Sequence, residues 1–326
     1  MKIAMSLCLS FLLQTFAFAQ ADIASYPNKP VRMIVTTVAG GGSDAIARPL
    51  VGKFSEYLGQ TVIIDNRPGA SGMIAMEMTA KAPPDGYTIV FATTGTVATN
   101  VAMHEKITYN PIKDFEPVTR VAEAYPVLLV NPKLGVNNLQ EFIALAKARE
   151  KTNPITFASY GVGSYAQLAA EWFGSIAHIK MTHVPYKGSA PAMTDLIGGQ
   201  VDCFVDTLPS AMPFIKTKQV KVLAIATDKR GEGILADIPT FKESGFPEFH
   251  PIAWWGIMTP ANTPKPIIVK LNAAIVKALN TTEVKGLFAN ALATPVGNTP
   301  DEFKKQIQEE IDTYVAVAKQ ANIKAD

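Results

Sequence analysis

The chain is poor in cysteine, poor in histidine, and without any long run of charge of one sign. Two cysteines occur in 326 residues, Cys8 and Cys203. Cys8 lies in a stretch with the layout of a leader, which leaves one thiol and excludes an internal disulfide framework. An unflanked cysteine such as Cys203 reads as a small buried hydrophobe. The four histidines, His104, His178, His183 and His250, lack metal-ligand spacing such as HExxH. Thirty Lys and Arg stand against 28 Asp and Glu. That balance excludes the basic stripe of a nucleic-acid surface and gives little long-range steering of anions. GxSxG is missing, and no lysine follows the glycine runs as a Walker loop requires. No metal and no cofactor is implied.

Long apolar runs are also missing. The run from Ile3 to about Leu13 is shorter than the roughly 20 residues that span a bilayer. Lys2 precedes it and Ala17-Phe18-Ala19 follows it, so residues 1–19 are expected to be a signal peptide cut before Gln20. Leu7 stands where a lipobox preceding Cys8 wants Gly or Ala. The mature protein is expected to be exported and soluble. Export without disulfides suits a bacterial periplasm. What remains after cleavage is enough for about two domains, and 48% hydrophobic residues supply a sizeable core.

Strand-like and helix-like segments alternate. Strands are expected over 31–36, 61–65, 88–93, 127–130, 155–159, 182–185, 202–206 and 220–227. Helical patterns lie between them at 43–58, 72–81, 139–150, 164–176 and 190–197. Such alternation predicts an α/β architecture with largely parallel sheets. The last part differs: after Trp254–Met258, helices over 264–280, 282–290 and 299–321 follow with no convincing strand. Helices without a sheet of their own should pack on an earlier domain. The chain is therefore expected to leave lobe 1 (20–122) near residue 122, build lobe 2 (123–230), and return to lobe 1 (231–326). Two connections make a hinge, and the cleft between the lobes is the default ligand site.

Two stretches carry the chemistry. In the first, an apolar strand runs into Thr37, Val38, Ala39, Gly40, Gly41 and Gly42, then Ser43 and Asp44 open a helix. Glycines permit close approach to the backbone, Ser or Asp is an N-cap signal, and an open helix N-terminus is an anion seat. In the second, a strand ends at Ser159, Tyr160 follows, Gly161 and Gly163 flank Val162, and Ser164 opens a helix. This segment fits the dinucleotide fingerprint GxGxxG/A, but no carboxylate ends the next strand to take a ribose. The alternative is a tight strand-to-helix turn with a serine cap. Two such turns, one in each lobe, favour a shared ligand. Around them, Ser71 is expected to cap a helix through Ala80, and Arg67 is a cation able to meet a carboxylate. Thr93 and Thr94 add hydroxyls at a strand's C-terminal edge, where open α/β sheets bind ligands. Asp206 ends a strand and either pairs with a ligand amine or caps the helix from Leu208.

Ordered blocks along the chain carry a family likeness. They include Tyr26-Pro-Asn-Lys-Pro, Gly40-Gly-Gly-Ser-Asp44, Asn66-Arg-Pro-Gly-Ala-Ser-Gly72, Pro84-Asp-Gly-Tyr87, Gly161-Val-Gly-Ser164, Val184-Pro-Tyr-Lys-Gly188 and Asp195-Leu-Ile-Gly-Gly-Gln-Val-Asp202. Together they resemble the periplasmic substrate-binding receptors of tripartite tricarboxylate transporters, the Bug family. The resemblance implies a two-lobed Venus-flytrap fold that closes over one small ligand, usually a carboxylate held by loop amides, hydroxyls and waters. It also implies membrane transporter subunits as partners, a monomeric receptor, and a seat built from residues 38–44, Ser71 and Thr93–Thr94, faced by 159–164 and Asp206. The family usually reads Pro-Phe-Pro-Pro before its glycines. Here Thr37 stands in place of an aromatic, which implies an unusual ligand; the sequence leaves open a dicarboxylate, an amino acid, an aromatic acid or a neutral amide. An exported enzyme, or a sensory receptor that docks a signalling protein, could use the same cleft. Turnover lost on mutating Ser164 or Asp44 would mark the first, and capture of a signalling protein the second.

Overall fold

The computed structural model describes residues 25–325; the expected leader, 1–19, lies outside the described residues. Among the described residues the strands form two sheets, and helices flank both. The first sheet begins with β1 (Val31–Val35), β2 (Val62–Asn66) and β3 (Thr88–Thr93), which pair in parallel. Their connections are α1 (Gly42–Leu58) and α2 (Met73–Ala80). A π-helical turn (Gly95–Thr99) and the short α3 (Asn100–Met103) then lead to β4 (Phe115–Ala124). β5 (Pro126–Val130) starts the second sheet, so the chain crosses at Tyr125.

The second sheet continues through α4 (Leu139–Arg149), β6 (Ile155–Ser159), α5 (Tyr165–Ile176), β7 (Met181–Pro185) and α6 (Ser189–Gly198). It ends with β8 (Cys203–Thr207), α7 (Leu208–Lys216) and β9 (Lys221–Ile225). The chain returns to the first sheet in β10 (Ala253–Pro260), followed by α8 (Lys265–Leu279), α9 (Thr282–Asn290), β11 (Thr294–Pro295) and α10 (Pro300–Gln320). Strand order is β11-β4-β10-β3-β1-β2 in one sheet and β7-β6-β8-β5-β9 in the other. The fold is α/β and two-lobed.

Two expectations are corrected. The sheets are only half parallel: β10 runs antiparallel to β3 and β4, and β5 runs antiparallel to β8 and β9. Strands that carry the chain across the hinge arrive from the opposite lobe, so they enter their sheets in the reverse direction. β4, with ten residues, escaped the alternation because Glu116, Pro117, Arg120 and Glu123 interrupt its apolar pattern. The second correction concerns residues 231–250, expected with the first lobe. Phe241, Phe246 and Phe249 pack edge-on against Phe173 of α5 with ring centroids 5.4–5.7 Å apart, and Thr240 bridges to Ile225. Aromatic burial holds this segment on the second sheet's side until β10 begins.

The helices start where local chemistry permits. Asn138 and Ser164 cap α4 and α5 by accepting the amides of Glu141 and Gln167. Thr299 and Glu302 form a reciprocal capping box at α10. Cys203 is buried in β8, the apolar role expected of it.

Candidate functional site

The first glycine loop keeps its helix terminus open. The N-cap of α1 is Gly41, without a side-chain cap, so the cap expected from Ser43 or Asp44 is not made. Instead Ser43 Oγ accepts the Trp255 indole N–H at 3.1 Å. Asp44, 1% exposed, folds back to accept the Gly40 amide at 2.8 Å, Arg48 Nε at 2.6 Å and Asn66 Nδ2 at 3.1 Å. Asn66 Nδ2 also donates to the Thr37 carbonyl at 2.9 Å. Burial pushes the Asp44 carboxyl up, but Arg48, the Gly40 amide and Asn66 together hold it below the usual range. Asp44 is thus the frame of the loop. Among the described residues, the amides of Gly42, Ser43 and Asp44 donate to no protein acceptor. The buried Thr37 Oγ1 beside Gly41 has no partner either. Val38, Ala39 and Gly40 lie exposed at the tip.

The neighbouring junction departs from expectation. Ser71 caps nothing: Gly72 is the N-cap of α2, and Ser71 sits in a turn where Gly69, Ala70, Ser71 and Gly72 all have positive φ. A Cβ on Gly72 would come within 2.4 Å of Thr96, so this tight approach requires glycine. Arg67 is held by Asp65 at 2.9 Å, as is Arg32 at 2.6 Å. Thr94 is not a spare donor, because its hydroxyl donates to the Ile252 carbonyl and accepts the Trp254 amide. Thr93 Oγ1 accepts the Thr96 amide at 3.2 Å.

The second glycine loop spends part of its donors internally and leaves the amides of Val162, Tyr165 and Ala166 without a protein acceptor among the described residues. The Gly161 amide donates to Ser159 Oγ (3.1 Å), Gly163 to Gln167 Oε1 (2.8 Å), and Ser164 to the Gly161 carbonyl (3.2 Å). Ser159 Oγ also meets His183 Nε2 at 2.6 Å. Beneath the loop, Asp206 is fully buried. It accepts the Tyr160 hydroxyl (2.5 Å), the Ser189 hydroxyl (2.7 Å), the Thr207 amide (2.7 Å) and Ser210 Oγ (2.9 Å). Desolvation raises the Asp206 pKa despite these four donors, and burial beside this carboxylate pushes the Tyr160 phenol well above its ordinary value. Asp206 therefore anchors the starts of α6 and α7 rather than standing open for an amine.

The two loops face each other. Ser71 Oγ donates across the cleft to the Val162 carbonyl at 2.6 Å. A Cβ on Gly42 would lie 3.9 Å from Ser210 Oγ, and one on Gly95 would lie 3.8 Å from the Tyr165 amide. His104 packs so closely on Gly163 that no side chain fits there. Ser189, Ser210, Asn66 and Arg48 were not singled out in the sequence. The available signals were short-range ones: Asp206 four residues before Ser210, and Asp44 four before Arg48.

Residues 46–323 match the model of the tripartite tricarboxylate transporter family receptor. Protein BugT of Bordetella pertussis is 36% identical over 94% of this chain and 93% of its own length. The solved structure of R. palustris Rpa4515 with adipate aligns with a TM-score of 0.86 at 33% identity, covering 92% of this chain and 99% of that one. MatC (Rpa3494) from Rhodopseudomonas palustris with bound malate gives 0.84 at 32% identity, over 90% and 99%. With the family match spanning most of the sequence, and two glycine loops opposed across the two sheets, this chain belongs to the tripartite tricarboxylate transporter receptor family.

Proposed function

We propose that the protein captures a small organic carboxylate between the two loops and delivers it to the membrane subunits of a tripartite transporter, acting as a monomer in the periplasm after loss of residues 1–19. The observation that carries this reading is the open N-terminus of α1. Three amides without protein acceptors and the unpartnered Thr37 hydroxyl converge on a face where nearby arginines are already paired. Such a face holds an anion with neutral donors. A helix terminus contributes about 0.3–1 kcal/mol and each hydrogen bond to a charged group about 1.5–3 kcal/mol. Micromolar affinity needs about 8 kcal/mol net, so the first loop requires the second to close over the ligand and exclude water. Solved relatives with adipate and with malate support the chemical class. We assign 20–122 with the return strand and C-terminal helices to one lobe and 123–230 to the other. The packing of Phe241 and Phe249 moves residues 231–250 to the second.

Thermal-shift and calorimetric titrations of the mature protein with a panel of mono- and dicarboxylates, malate and adipate included, test the proposal. At least one acid should bind at micromolar Kd, and its amide should bind at least tenfold more weakly. A flat response across the acids, or an amide that binds as tightly, would remove the anion seat.

A further inference from the structure

A second large concavity, of about 1070 Å3, lies behind the hinge. The strand orders locate it. β9 and β11 are outer strands of their sheets, and β4, β5 and β10 stand between them and the strands that carry the glycine loops. Leu208, Ile225, Leu235 and Phe249 line it from the second sheet's side, while Ala289, Leu292 and Pro295 line it from the first. The floor is apolar and the rim is cationic. Lys229, Lys242 and Lys285 line the groove, and none of them makes an ion pair among the described residues. Arg230 is already held by Glu243 at 2.9 Å. Asp228 and Glu232 are the acids of the lining, and Tyr125 and His250 its remaining titratable groups.

Leu292 ties the two sides of the groove together. Its φ is +53°, a left-handed conformation that a leucine adopts only at a cost. In that conformation its side chain reaches from the first-sheet side to pack on the apolar cluster containing Leu208, Ile225 and Leu235. The left-handed turn is the one that ends α9, where the Leu292 amide donates to the Ala289 carbonyl and the Ala293 amide to the Phe288 carbonyl, and it directs the leucine side chain across the groove.

We infer that this groove is a second ligand site, shaped for an amphiphilic organic anion whose apolar body rests on the Leu208 and Ile225 floor while its acid group meets the lysines. The volume suits a ligand of drug size or larger. Because both halves line the groove, its width follows the angle between them, and an occupant biases that angle.

The probe is 8-anilinonaphthalene-1-sulfonate, an apolar anion that fluoresces when shielded from water, titrated into the mature protein with no front-cleft ligand present. Saturable one-to-one binding is expected. The Lys242→Glu/Lys285→Glu double variant, altered only at exposed side chains, should weaken it at least fivefold with an unchanged melting temperature. Thr37→Trp, which fills the front seat, should leave it within twofold. Dye binding that is lost with Thr37→Trp, or is indifferent to the lysine reversals, or never saturates, overturns the site. These outcomes do not depend on whether the front cleft takes a carboxylate. Displacement of the dye by decanoate assigns the site to a free acid, and displacement only by phosphatidylglycerol vesicles assigns the same chemistry to a lipid.

Discussion

The loop of residues 37–44 and the loop of residues 159–164 both leave a buried strand, turn through glycine and enter a helix, and they differ in where their amide hydrogens go. In the first, Asp44 takes only the Gly40 amide and leaves those of Gly42, Ser43 and Asp44 itself pointing outward. In the second, Ser159, the Gly161 carbonyl and Gln167 take the amides of Gly161, Ser164 and Gly163. Both helices begin with amides that have no protein acceptor among the described residues, those of Gly42, Ser43 and Asp44 in the first and of Tyr165 and Ala166 in the second, but only the second has a serine hydroxyl at its N-cap to take the third amide. The first loop therefore offers the larger free donor set and the second the more internally braced one, although both segments share the same glycine and serine pattern.

The comparison presumes that the loops stay opposed, and the largest expected effect falls on the crossing strands that oppose them. Arg120 of β4 lies 3.2 Å from Glu123 and 3.7 Å from Glu310 of α10, and the Trp254 indole of β10 donates to Glu310. Tyr314, one turn further along α10, donates to the carbonyl of Ile252, where the chain returns. Burial pushes the Glu310 carboxyl up to about 7, with Glu123 adding to it and Arg120 and Trp254 opposing it. An unfolded glutamate loses its proton near pH 4.5. Between those values the folded chain therefore keeps a proton that the unfolded chain has lost, and stability falls as pH rises through the window. The expected loss is about 3 kcal/mol. Urea unfolding at pH 5 and pH 8 should show it in the wild type, and Glu310→Gln should flatten it. An equal slope in the variant would place the proton elsewhere.

Next in size is the frame of the open loop. Asp44→Ala releases the Gly40 amide, Arg48 and Asn66 together, so the α1 amides lose their common direction. Carboxylate affinity should fall about a hundredfold, or about 2.7 kcal/mol, by calorimetry on a variant whose circular dichroism is unchanged. The counterpart in the closed loop is Gln167→Ala, which strips the acceptor from the Gly163 amide. Leaving one buried donor unpaired costs about 1–3 kcal/mol of stability, while affinity should stay within threefold. If Gln167→Ala weakens binding as much as Asp44→Ala does, the two loops are not different in kind.

Much of the architecture was legible because burial leaves a mark on composition. The apolar runs of β1, β3 and β6 and the amphipathic helices of the C-terminal part stand close to where periodicity put them. β4 was hidden because charged residues interrupt its apolar pattern: Arg120 lies 3.2 Å from Glu123 of the same strand and 3.7 Å from Glu310 of α10, and Glu116 lies 3.9 Å from Lys304. The candidate site was legible as two glycine loops and illegible in its hydrogen bonds. Nothing local distinguishes an Asp44 that turns back to Gly40 from a Gln167 that turns back to Gly163, since both lie four residues after the amide they accept. What separates them is which other amides remain. That depends on the N-cap residue: Ser164 accepts the Gln167 amide at the start of α5, whereas Gly41 has no side chain to accept that of Asp44 at the start of α1.

The smallest expected effect tests the contact between the loops. Ser71 holds a left-handed conformation and donates to Val162, whose side chain is exposed, so the bond joins two solvent-facing tips rather than two pieces of core. A bond of this kind is worth about 0.5–1.5 kcal/mol. It forms only when the lobes meet, so the whole of that amount belongs to closure. Ser71→Ala should therefore weaken carboxylate binding about threefold to tenfold, the loss appearing in the dissociation rate, while the melting temperature of the ligand-free protein barely moves. Ser71→Gly separates the bond from the backbone: glycine relieves the left-handed strain but restores no donor, so it should bind no better than Ser71→Ala. Recovery of wild-type affinity in the glycine variant would mean that the turn, rather than the hydroxyl, sets the opposition of the two loops.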